Sequence, residues 1–481
     1  FAAQDDLEKK VEIADFLKSK ILLHGQSLDD ETERFFEYNK DVRQQRFIRR
    51  LKMVYETEKK RTSGANRRGF KEIPKDWVVI HFYLNKYEKK GYAIIAFADK
   101  EWDIKEFPYE ASCKITRQTI EILPPKGVPR EIVNELEGLV DNWYATEVEL
   151  VRALEMGIGA ESTAQYKEAI LENILHVNLF AAFTNFQANY CVNHPTKMPV
   201  YRKNAANYLV KLCKEVGNAM PFLFDIRNIP QSKHILFISH DFLNRLPLHG
   251  ALGNDDNVFL QNHESCSYLP AWSLAPQNEG KGQKDSEKQI EKRLLKYFED
   301  HDYDELKKNV TWNSQEDPAT PEHLLNGYMP PGILTVLSHG MADVVNSFNS
   351  KLLLNGGDVT NFDVMKHASL NFDGCHVILG CCEGDLLPPL SGALDEHLSI
   401  SSAFLLKGAT EVLCTMWEAS PKGQLEKIIN FIVERCNSHK GLLQNMNEWQ
   451  KIKLSDWKET RSLLEFYDTI VFRVLGLGRG L

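Results

Sequence analysis

Two stretches of this chain end in side chains suited to nucleophilic chemistry. An apolar run at residues 333–337 stops at Ser338-His339-Gly340, and Val377-Ile378-Leu379 stops at Gly380-Cys381-Cys382-Glu383-Gly384. A thiol attacks a carbonyl only as its thiolate, and a free cysteine has a pKa of about 8.5. A neighbouring imidazole can take that proton and later return it to a leaving amine. The oxyanion formed in between needs donors, and the backbone N–H groups of Gly340 and Cys382 are the candidates. A glycine beside the histidine also lets another backbone approach closely. The residues therefore suggest a dyad of His339 with a cysteine at the second strand end, Cys381 or Cys382, with an inert buried thiol as the alternative.

Such a dyad needs elements that bring both strand ends to one place. Short continuous apolar runs bounded by glycines read as buried strands of a parallel sheet. Parallel strands would put both carboxyl ends on one edge, where open α/β sheets bind ligands. The segment between them carries a turn at Asn355-Gly356-Gly357 and a short helical stretch near 361–368. Further buried strands are expected at 234–238, 266–268 and 411–416. A polar loop at 277–287 should lead into a charged helix to about Glu299. Thr320-Pro321-Glu322 has the residue types of a helix start, and a helix is expected over 399–406, ending at Gly408. Closing helices are expected at 422–436 and 457–474. This alternation predicts an α/β fold with a mainly parallel sheet flanked by helices. Upstream, 77–84, 92–98 and 102–107 read as a strand meander, followed by helical patterns at 129–154, 162–188 and 204–220. The chain divides as 1–70, 71–230 and 231–481.

Composition narrows the function classes. A length of 481 residues corresponds to about three domains. A net charge of −9 argues against a dominant nucleic-acid footprint, although 40–71 holds twelve Lys/Arg against Asp41, Glu56 and Glu58. That run is a solvated helix face and linker, or a docking surface for RNA or an acidic partner. No segment approaches the roughly 18 apolar residues of a membrane span. Nine cysteines, an odd number in mostly apolar contexts, suit a reducing cytoplasm better than a disulfide framework. The chain starts at Phe1 and is expected to begin inside a longer protein. Its opening 60 residues read as helices at the end of a helical array.

From about residue 73 onward the chain resembles the CHAT domain, a group of caspase/separase-like cysteine peptidases. The matching pieces fall in family order: WVVIHFYL with YAIIAFA, HILFISHDFLNRLPLHGAL, YLPAWSL, ATPEHLL, ILTVLSHG, HVILGCCEGD and ALDEHLSISSAFLLKGATEVLCTMW. By this resemblance His339 is the histidine of the His-Gly motif, and Cys382 is the nucleophile of the Ala-Cys-Glu-Thr-Gly-like motif. Cys381 stands here where alanine is usual, and Gly384-Asp385 where Thr-Gly is usual. The resemblance implies a caspase-like α/β fold and a pocket that binds peptide as an extended strand, using no cofactor. Asp241, Glu383, Asp385 and Glu396 are acidic residues near the expected sheet edge: one of them lining the first specificity pocket would favour a basic substrate residue, and plain surface acids are the alternative. Trp417 is a candidate pocket wall, with packing at the sheet edge as its alternative. Helical, TPR-like residues ahead of such a peptidase resemble the TPR-CHAT proteases of CRISPR-guided caspase complexes. That likeness implies an RNA-guided type III-E CRISPR effector as partner and a companion protein as substrate.

Rival readings fare worse. A zinc site from Cys375, His376, Cys381 and Cys382 would scatter its ligands over both faces of a strand. A serine hydrolase would need a G-x-S-x-G elbow, and an NTPase a phosphate-binding loop; neither occurs. A CHAT fold kept as a silent scaffold, or a CHAT protease of another defence system, are the remaining alternatives. A scaffold has no physical need for both His339 and Cys382.

Overall fold

The computed structural model describes residues 73–85, 90–98, 102–108, 198–240, 243–244, 246–274, 291–297, 312, 314–316, 318–325, 332–342, 347–382, 384–385, 399–417, 423–436 and 440–478. The helices expected before residue 60 and at 129–154 and 162–188, the basic 40–71 run and the 277–287 loop lie outside them.

The strands are β1 (Trp77–Asn85), β2 (Lys90–Phe97), β3 (Asp103–Pro108), β4 (His234–Ile238), β5 (Ser265–Tyr268), β6 (Glu291–Lys296), β7 (Ser314–Glu316) and β8 (Gly332–Leu337). They continue as β9 (His339–Met341), β10 (Lys351–Leu354), β11 (Gly357–Thr360), β12 (His376–Gly380), β13 (Glu411–Thr415) and β14 (Phe472–Gly476). Eleven of them form one sheet in the order β3-β2-β1-β4-β5-β14-β13-β12-β8-β6-β7. Every pairing in it is parallel except β1–β2, β2–β3 and β13–β14. The chain thus adopts the expected α/β class, a mainly parallel sheet flanked by helices.

The antiparallel β13–β14 contact has a consequence for direction. β14 runs parallel to β5 and opposite to β13. Apart from β2, the sheet therefore consists of two parallel sets that run in opposite directions and meet where β14 pairs with β13. The β5–β14 joint is narrow in backbone terms, with Leu475↔Tyr268 as its register pair. β1 and β4 lie next to each other in the sheet, on either side of the expected boundary at 230.

β8, β12 and β13 are buried along their whole length, as unbroken apolar runs covered on both faces should be. Their side chains belong to the hydrophobic core that also takes in Ile400, Phe404, Ile429 and Leu442 from the flanking helices. Helices at Ile400–Leu406, Gly423–Arg435 and Leu442–Thr460 supply this cover. The Leu442–Thr460 helix starts on a buried charge. Leu442 and Leu443 donate their N–H groups to Glu411 at 2.7 and 3.2 Å, as a helix N-terminus favours. His376 Nδ1 meets the same carboxylate at 2.5 Å.

Three expectations need correction. The charged segment before Glu299 is a strand, β6, which lies between β8 and β7. Leu294, Leu295 and Lys296 are buried there, so tertiary pairing overrides the helix propensity of EKRLLK. The last expected helix, 457–474, is instead the end of the Leu442–Thr460 helix, a separate helix over Leu463–Ile470, and strand β14 at 472–476. The crossover between β8 and β12 carries a second sheet, β11-β10-β9, rather than a turn and short helix alone. Gly356 makes its tight turn at φ +82, and the Asn361–Lys366 helix follows with a capping box between Thr360 and Asp363.

Candidate active site

β8 and β12 are adjacent and parallel, with Leu337 opposite Gly380. Their carboxyl ends therefore lie side by side, and the chain leaves them as Ser338-His339-Gly340 and Cys381-Cys382. Gly340 packs directly on the second segment. A Cβ at residue 340 would stand 2.1 Å from the Cys382 carbonyl oxygen and 3.1 Å from Cys381 Sγ. Only a glycine fits there. His339 opens β9 and is exposed, Cys382 is half-buried, and Cys381 is buried. Cys213, Cys266, Cys375, Cys414 and Cys436 are buried as well, so Cys382 is the most accessible thiol among the described residues. Burial pushes the thiols of Cys213, Cys266 and Cys414 far up, away from thiolate chemistry.

The histidine side is fixed from β6. Tyr297, just past that strand, donates its N–H to the Leu337 carbonyl at 2.9 Å. Its ring stands edge-on to the His339 imidazole at 6.3 Å. Ser338 Oγ donates to the His339 carbonyl at 3.2 Å.

The cysteine side is clamped by three elements. Thr415, at the end of β13, donates its hydroxyl to the Cys381 carbonyl at 2.7 Å and accepts the Asp385 N–H on its carbonyl at 3.0 Å. The start of the Ile400–Leu406 helix adds a bond from Ser401 N–H to the Gly384 carbonyl at 3.2 Å. Ser399 caps that helix by accepting the Ser402 N–H, and its hydroxyl donates to Asp385. Ser401 Oγ donates to Asp385 too. The third element is β14, whose Arg473 pairs with Asp385 through Nε and a terminal nitrogen.

Two expected pocket residues are placed otherwise. The Asp385 side chain is fully buried in this ion pair, so it anchors the turn and presents no carboxylate to a ligand. Trp417 is 1% exposed and packs in the core, so it walls no open pocket. Asp241, Glu383 and Glu396 lie outside the described residues. Sequence reasoning passed over Tyr297, Thr415, Ser399, Ser401 and Arg473. Arg473 left a readable signal: a lone guanidinium within the apolar run IVFRVLG must find a buried partner.

No protein-family model and no curated protein matches the chain. Two crystal structures of the Saccharomyces cerevisiae separase–securin complex are similar to it, each at 10% sequence identity. One matches with a TM-score of 0.42 over 92% of this chain and 32% of the other, the second with 0.47 over 99% and 34%. The chain thus spans about a third of the length of those chains. No helix among the described residues is long and apolar enough to cross a membrane.

Proposed function

We propose that this chain is a cysteine peptidase of the caspase/separase-like CHAT type. The observation that carries the reading is the seating of Gly340 on the Cys382 carbonyl, with the accessible thiol of the described set at that point. A histidine and a cysteine leaving adjacent parallel strands are within reach of one scissile carbonyl. His339 takes the Cys382 proton, and the thiolate adds to the carbonyl carbon. The N–H groups of Gly340 and Cys382 hold the resulting oxyanion. The tetrahedral intermediate collapses with cleavage of the C–N bond, and His339-H⁺ protonates the departing amine. Water, deprotonated by His339, then hydrolyses the thioester and frees Cys382.

The finer reading is a protease commanded by an RNA-guided type III-E CRISPR effector and acting on a companion protein. It is supported by the CHAT-like pieces standing behind TPR-like helical residues. The basic 40–71 segment is the proposed contact with that assembly or its RNA. The test is cleavage of candidate companion proteins by wild type, Cys382→Ala, Cys381→Ala and His339→Ala, each alone and with effector plus target RNA. Loss with Cys382→Ala and His339→Ala, survival within a few-fold with Cys381→Ala, and dependence on target RNA are expected. Cleavage that needs no effector removes the CRISPR partner. Absence of cleavage, with Cys382 unlabelled by a thiol-reactive peptide, replaces the peptidase with a scaffold.

A further inference from the structure

The Asp385 ion pair reaches much further than the turn it anchors. Arg473, 2% exposed, donates from its other terminal nitrogen to the Asn244 carbonyl at 2.8 Å. Its guanidinium lies over the Tyr268 ring, 5.0 Å from the centroid, a favourable stacking contact in a desolvated place. Tyr268 is itself held by His249. The His249 N–H donates to the Tyr268 hydroxyl oxygen at 3.0 Å, and that hydroxyl meets His249 Nδ1 at 2.7 Å. His249 Nε2 faces the Ile470 carbonyl at 3.1 Å. A carbonyl can only accept, so Nε2 carries the proton and Nδ1 accepts from Tyr268.

Asn244, His249 and Tyr268 belong to the first parallel set and the segment that follows β4. Asp385 and the cysteine belong to the second. Tyr268 is also the residue that pairs with Leu475 at the narrow β5–β14 joint. The ring that carries Arg473 and the backbone register pair of the joint are therefore one residue. A shift of the first set relative to β14 moves the support of Arg473, and Asp385 follows through a two-point ion pair of fixed geometry. The Asp385 N–H bond to Thr415 and the Gly384 bond to Ser401 lie in the same turn as Cys382.

We propose that Arg473 is a positioning residue for the Cys382 turn, and that the first sheet half sets its hold through Tyr268, His249 and Asn244. This coupling regulates the peptidase site proposed above and rests on that reading for its catalytic meaning. Occupation of the first half by a protein that moves Tyr268 would release or tighten the nucleophile without touching it.

The experiment uses the full chain and two readouts. Arg473→Met alone strands a buried carboxylate and is expected to fold poorly, so the variants are Arg473→Met/Asp385→Asn together and Tyr268→Leu. The control is Phe107→Leu, a buried core change on β3 whose ring packs on Phe82 and Phe222. Hydrogen exchange of the peptide spanning 380–386 should speed up at least tenfold in both network variants and stay within twofold of wild type in the control. The kcat for cleavage, or the maximal rate of Cys382 acylation by a peptide electrophile, should fall at least tenfold in both network variants with KM within threefold. Unchanged exchange at 380–386 in Tyr268→Leu, or an equal change in the Phe107→Leu control, overturns the coupling. Faster exchange in a protein whose wild type neither cleaves nor labels keeps the coupling and removes the peptidase.

Discussion

Replacing Gly340 by alanine should disable the site while leaving most of the fold standing. The new Cβ would meet the Cys382 carbonyl oxygen at 2.1 Å, whereas real Cβ atoms essentially never come closer than 3.0 Å, so the two segments must part by at least 0.9 Å. The obstacle is backbone on a clamped turn, not the end of a flexible side chain, and cannot swing aside. A displacement of about 1 Å in a catalytic constellation costs about 100-fold in rate, and overpacking a tight contact costs about 1–3 kcal/mol of stability. Gly356→Ala is the comparison. It has nothing within 4 Å of its Cβ but sits at φ +82, so it loses about 1–2 kcal/mol through backbone strain alone. The assay is labelling of Cys382 by a peptide electrophile, read by intact mass, beside urea denaturation of each variant. We expect labelling of Gly340→Ala to drop about 100-fold and that of Gly356→Ala to match wild type. Labelling of folded Gly340→Ala within threefold of wild type would refute the placement of His339-Gly340 against Cys382.

Three further outcomes concern the supports of the site. Burial pushes the Glu411 carboxyl up, but the His376 charge and hydrogen bond, with the Leu442 and Leu443 N–H groups, hold it below its ordinary value of 4.5. A carboxylate depressed in the folded state stabilises above that value and ceases to do so as pH falls through its folded pKa. The stability gap between wild type and Glu411→Gln should thus be present at pH 7 and close as denaturation is repeated below pH 4.5; a gap that is constant with pH contradicts this. His249, pushed down to about 3 by burial and then by Arg473, stays neutral when folded but protonates near 6.5 when unfolded. Its contribution is complete above pH 6.5 and is lost on acidification, by about 1.4 kcal/mol per pH unit within that window. Imidazole ¹⁵N spectra should show the Nε2–H tautomer still neutral at pH 5, and a titration midpoint at 6 or above speaks against the buried network. Gly441→Ala would bring a Cβ to 2.4 Å from Glu411 Oε2, so a loss of about 1–3 kcal/mol is expected in thermal or urea unfolding, and an unchanged midpoint would mean the helix cap tolerates displacement.

The strands that position the site were legible because they are apolar on both faces and punctuated by glycine. ILTVL, HVIL and EVLCT each announce a buried parallel strand with little regard to what surrounds them. EKRLLK does not, since its three leading charges suit a helix surface equally well and only the neighbours β8 and β7 decide the matter. β14 was obscured for a related reason: FRVLG follows a helix after the single residue Val471, and a short apolar run cannot declare its own period. His339 and Cys382 could be nominated as the proposed base and nucleophile because residue type and position at a strand end are read directly from the sequence. Asp385 and Trp417 were misjudged because whether an acid or an indole near an edge faces a cleft or the core is settled by residues far away in the sequence. Arg473 stands 88 positions from Asp385, and no local pattern joins them.

The opposed directions of the two strand sets have one more consequence. Two parallel sets that meet edge to edge while running in opposite senses have the geometry of subunits around a two-fold axis. Here both belong to one polypeptide, so the antiparallel contact of β13 with β14, and the β5–β14 joint beside it, close intramolecularly, at an effective concentration fixed by the connecting chain rather than by expression level. Dilution cannot separate the halves. A switch built on this joint would answer to an encounter with another molecule and not to how many copies of itself are present.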